Sequence, residues 1–88
     1  MTISQEQFDD LLSRAALAAL FYYPEIVVDD GDYRIHNDVD YCMEPVKGIA
    51  DETGERLRAC IGRTIANPTA HRADLVALII ELAPPPIE

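Results

Sequence analysis

The chain has no tryptophan, two cysteines, four glycines and only seven basic residues among its 88, and each shortage excludes something. Small secreted domains lean on four or more cysteines arranged as a disulfide framework. Cys42 and Cys60 alone read as two reduced, buried thiols. With His36 and His71 they supply no paired C-x2-C or H-x3-H spacing, so no structural metal is expected. The excess of acid, a net charge of −9, removes the basic footprint that nucleic acid or an anionic membrane requires of a direct ligand. No apolar run approaches the roughly 20 residues that span a bilayer. The longest are Ala15–Tyr23 and Leu75–Ile80. The opening MTISQEQFDD is acidic and polar where a secretory signal is basic, and a cytoplasmic setting is expected.

Catalytic signatures are missing as well. There is no G-x-S-x-G, no P-loop and no glycine-rich dinucleotide turn. A calcium loop of EF-hand type needs Asp at its first position and Gly at its sixth. Counting back from Glu44 puts Tyr33 at the first position, and counting on from Asp38 puts Met43 at the sixth. The expectation is a protein that is not an enzyme and holds no cofactor and no metal.

What is present is enough apolar material, 49% of residues, for one core. We read residues 1–88 as a single domain with a Pro-rich tail at 83–88. A chain of this length buries only about two-thirds of the surface its unfolded form exposes, so stability is modest.

Along the chain, Ser4 followed by Gln7 is a capping box that opens a helix over Ser4–Tyr22. Phe8, Leu11, Leu12, Ala15 and Ala19 form its inward stripe, and Pro24 ends it. Asp30-Gly31, between IVVD and DYRIH, is the signature of a two-residue hairpin turn. In that register Val28/Tyr33 and Ile26/Ile35 share an apolar face. Asp29, Asp32 and Arg34 lie opposite. Alternation resumes over Asp38–Glu44, with Val39, Tyr41 and Met43 on one face and Asp38, Asp40, Cys42 and Glu44 on the other. This predicts a third strand.

Pro45 starts a further helical stretch, with Val46, Ile49, Ala50, Thr53, Leu57, Cys60, Ile61 and Ile65 near one face. A break is expected near Asp51–Gly54, with the secure helix over Glu55–Ala66. Asn67-Pro68 caps a last helix that runs to Leu82. Its core face is Leu75, Leu78, Ile79 and Leu82, and its polar or small stripe is Asp74, Ala77 and Glu81. The expected class is α+β, a small antiparallel hairpin or three-stranded meander packed against three helices.

Charge is concentrated in the middle third. Residues 25–55 carry ten acids against Arg34 and Lys47. On the expected sheet these carboxylates form a lattice, with neighbours about 6.7 Å apart along a strand and about 4.8 Å across. Asp29 opposite Asp32 is a like-charge pair that costs stability. The plain reading is a solvated outer face that discourages edge pairing. The functional reading is a contact face for a basic protein, formed by Asp29, Asp30, Asp32, Asp38, Asp40 and Glu44, with Tyr33 and Tyr41 as aromatic anchors.

In size and charge the chain resembles small protein inhibitors, phage-type anti-CRISPR proteins and nucleic-acid mimics among them. That resemblance implies a carboxylate-rich surface occupying a nucleic-acid-binding site, and it transfers no residue roles. Two alternatives stand beside it. One is a self-associating subunit with a helical homodimer interface at Ala15–Tyr23 and Leu75–Leu82. The other is an immunity or antitoxin protein that neutralises a basic toxin.

Overall fold

Ser4 fixes where the first helix begins. Its backbone is extended, its hydroxyl accepts a hydrogen bond from the Gln7 N–H at 3.1 Å, and its own N–H donates to Gln7 Oε1 at 2.9 Å. Two donors that would otherwise lack partners are satisfied by one pair of side chains. In the computed structural model, which describes residues 3–20, 38–49 and 51–85, this cap opens α1 (Gln5–Ala15). One π-helical turn, Ala16–Leu20, continues it.

The wide turn answers a packing problem. Ala15–Leu20 is apolar on every side, and a regular helix cannot bury every face. Widening the turn brings Ala18, Ala19 and Leu20 into the core and turns Leu17 outward, 73% exposed. Leu11, Ala15 and Ala19 are buried as their spacing predicts. Leu12, placed in the same stripe, is 38% exposed.

The largest correction falls on Asp38–Glu44. Residues 38–43 are helical (α2) and run into a 3-10 turn at Glu44–Val46, with Pro45 in its first turn. Val39, Cys42, Met43 and Val46 are all buried, the i, i+3, i+4, i+7 pattern of a helix. A strand would have set Cys42 outward and shared one face between Tyr41 and Met43. The helix does the reverse with Cys42 and Tyr41, because it delivers four apolar side chains to the core instead of three. Among the described residues every regular element is helical and there is no strand. The α+β reading is therefore overturned. The hairpin expected at Ile26–Ile35 lies outside the described residues.

α3 (Asp51–Ala66) begins where a break was expected. Gly54 does not interrupt it. A Cβ there would come within 3.1 Å of the Ile49 carbonyl oxygen, so glycine lets the first turn settle on the preceding loop. Leu57, Cys60, Ile61, Thr64 and Ile65 face the core.

Asn67 alone joins α3 to α4 (Pro68–Leu82). Its N–H donates to the Arg63 carbonyl at 2.9 Å, which closes α3. Its side-chain oxygen accepts from the Ala70 N–H at 3.3 Å, which opens α4. Pro68 at the next position bars Asn67 from helical geometry, so the chain must turn. Leu75, Leu78, Ile79 and Leu82 then bury as predicted, and α3 and α4 pack extensively against each other. Thr64, fully buried, bridges them. Its hydroxyl lies 2.8 Å from the Cys60 carbonyl and 3.3 Å from the His71 carbonyl.

Two substitutions test this account. Ile79→Ala opens a cavity at a fully buried site and is expected to cost about 2–5 kcal/mol. Asn67→Ala is expected to cost about 1 kcal/mol through the lost cap, or roughly 4–8 °C in Tm for a domain of this size. Denaturant and thermal unfolding measure both. An Ile79→Ala protein as stable as the parent contradicts the assigned core.

Candidate protein-contact surface

The surface is assembled from three helical elements. α2 carries Asp38, Asp40 and Tyr41, and Glu44 follows in the 3-10 turn. A helix spreads these around its circumference, so they do not form the flat lattice that a sheet would give. Asp38 is half-buried. Asp40 is exposed and meets Arg58 of α3 at 2.8 Å. Glu44 is exposed and meets Lys47 at 2.9 Å. Tyr41 is 42% exposed, with the Arg14 guanidinium 4.7 Å from its ring centre. Asp29, Asp30, Asp32 and Tyr33 lie outside the described residues.

Arg14 is the tie between α1 and α2. It bonds Asp10 at 3.0 Å one turn back, donates to the Tyr41 carbonyl at 3.0 Å and stacks on the Tyr41 ring. The hydrogen bond to Asp10 and its charge hold the guanidinium above its already high ordinary pKa. Gln7 adds a second link, donating to the Pro45 carbonyl at 3.2 Å. Tyr41 is thus already clasped by a cation of its own chain, and only its remaining face is open to a partner.

The thiols are not part of any open site. Cys42 is fully buried beneath the Arg14 carbonyl, with its sulfur 3.7 Å from that oxygen. Burial, with the negative charge of Asp38 as the lesser cause, pushes its pKa up to about 12. Burial raises Cys60 as well. Both are free. Among the described residues no three His, Cys, Asp or Glu side chains are grouped to hold a metal ion. Among the described residues no helix is long and apolar enough to cross a membrane.

Hollows open on the surface of α3. An open cleft of about 300 Å³ lies between the loop after the 3-10 turn and α3, lined by Met43, Lys47, Ile49, Gly54, Glu55 and Arg58. A smaller hollow of about 100 Å³ lies between α3 and the end of α4, lined by Thr53, Arg56, Leu78, Glu81 and Leu82.

The feature that sequence reading missed is on α4. Ala73, Ala77 and Ile80 line the side of α4 away from the core, and Val76 beside them packs against the core. Val76 is partly buried, Ala73 and Ala77 are exposed, and Ile80 is 61% exposed. The signal was a second apolar series offset by half a turn from Leu75, Leu78, Ile79 and Leu82. Setting Ala77 in a polar or small stripe with Asp74 and Glu81 concealed it.

The buried thiols have a pH signature. An unfolded Cys42 ionises near 9 and the folded one near 12. As pH rises, the unfolded chain loses this proton first. The stability gained by keeping the thiol neutral is complete below about pH 9 and is lost progressively up to about pH 12. Parent protein is expected to lose more stability between pH 8 and pH 10 than Cys42→Ala does, as denaturant midpoints would show. Equal pH dependence in the two proteins contradicts the assigned burial.

No protein family, curated protein or solved structure compared with the chain matches it, so the likeness to inhibitors and anti-CRISPR proteins gains no support beyond size and charge.

Proposed function

We propose that this chain is a small helical protein-binding module whose partner is a basic protein. The observation that carries the reading is how its surface charge is paired. Arg14, Lys47, Arg56 and Arg58 each meet a carboxylate of the same chain, namely Asp10, Glu44, Glu81 and Asp40. Among the described residues, Glu6, Glu52 and Glu55 are exposed and make no ion pair, against Arg63 and Arg72. Asp29, Asp30 and Asp32 add to the same excess. Most of the chain's cations are already engaged, so the surplus negative charge is directed outward.

An outward negative field speeds encounter with a basic surface and discriminates against acidic ones. Asp40 and Glu44 remain available to a partner, because exposed ion pairs contribute at most about 1 kcal/mol and exchange readily. Binding rather than catalysis is the role, since the two thiols are buried and protonated at neutral pH. A cytoplasmic, reducing setting goes with this reading, supported by both thiols being free.

The test is capture from a lysate of the source organism at about 0.05 M and about 0.5 M salt, where screening differs several-fold in range. The captured protein is expected to be basic and to be released at the higher salt. A Glu6→Gln, Glu52→Gln, Glu55→Gln variant is expected to retain at least tenfold less of it. Capture that ignores both salt and neutralisation contradicts the reading.

Self-association is a second reading, favoured by Leu17 standing 73% exposed on the π-helical turn. It predicts a dimer in sedimentation that persists at high salt and dissociates in Leu17→Glu. A monomer at about 100 μM, weaker than any stable dimer of standard interface size, removes it.

A further inference from the structure

We draw no further inference here: the strongest candidate, the open cleft of about 300 Å³ between the loop after the 3-10 turn and α3, carries nothing, because its cations Lys47 and Arg58 are already paired with Glu44 and Asp40 and nothing in the structure shows what it would hold.

Discussion

The structure depends on a one-residue joint. α3 and α4 are 16 and 15 residues long, and Asn67 alone lies between them. Its N–H completes α3 and its side chain starts α4. Because Pro68 forbids it a helical conformation, the chain reverses without a loop whose ordering would cost conformational entropy. That reversal brings Ile61 and Ile65 of α3 into one core with Leu75 and Ile79 of α4. The rest of the core comes from Ile3, α1 with its π-helical turn, α2 and the 3-10 turn. α1, its π-helical turn and α2 complete the enclosure, each offering alanines or a few larger side chains to a surface that the α3–α4 pair has already formed.

Where one structural period was written strongly, sequence reading and structure agree. The capping box at Ser4 and Gln7, the Asn67-Pro68 start and the inward face of α4 all follow from rules that act within four residues. Asp38–Met43 carries two periods at once. Asp, Val, Asp, Tyr, Cys and Met alternate in polarity well enough for a strand, and they also place Val39, Cys42 and Met43 on one helical face. Local alternation could not decide between them. The core could, since burial of Val39, Cys42, Met43 and Val46 together is available only to the helical form. Gly54 misled for a related reason. Its weak helix propensity was visible, but its use, a close approach to the Ile49 carbonyl, is a tertiary fact.

The loss of the third strand changes the meaning of the acidic residues. On a sheet, Asp38, Asp40 and Glu44 would share one flat face and repel. On a helix they separate, and two of them find cations, Arg58 and Lys47, at 2.8 and 2.9 Å. Such exposed pairs add little stability. Their larger effect is on the field, because they neutralise the basic residues of the chain and leave the remaining carboxylates uncompensated. With 16 acids against 7 bases the chain stays acidic wherever its cations sit, and pairing them concentrates the excess on the remaining carboxylates.

α4 shows the same principle with apolar residues. One face is spent on Leu75, Leu78, Ile79 and Leu82, with Val76 packed against the same core, and Ala73, Ala77 and Ile80 lie exposed on the other side. A single exposed isoleucine is ordinary on any protein surface. Asp74 and Glu81 keep that strip in an acidic setting, and the last turn of α4 carries no cation of its own. Arg56 of α3 supplies the cation that this end lacks, 3.8 Å from Glu81.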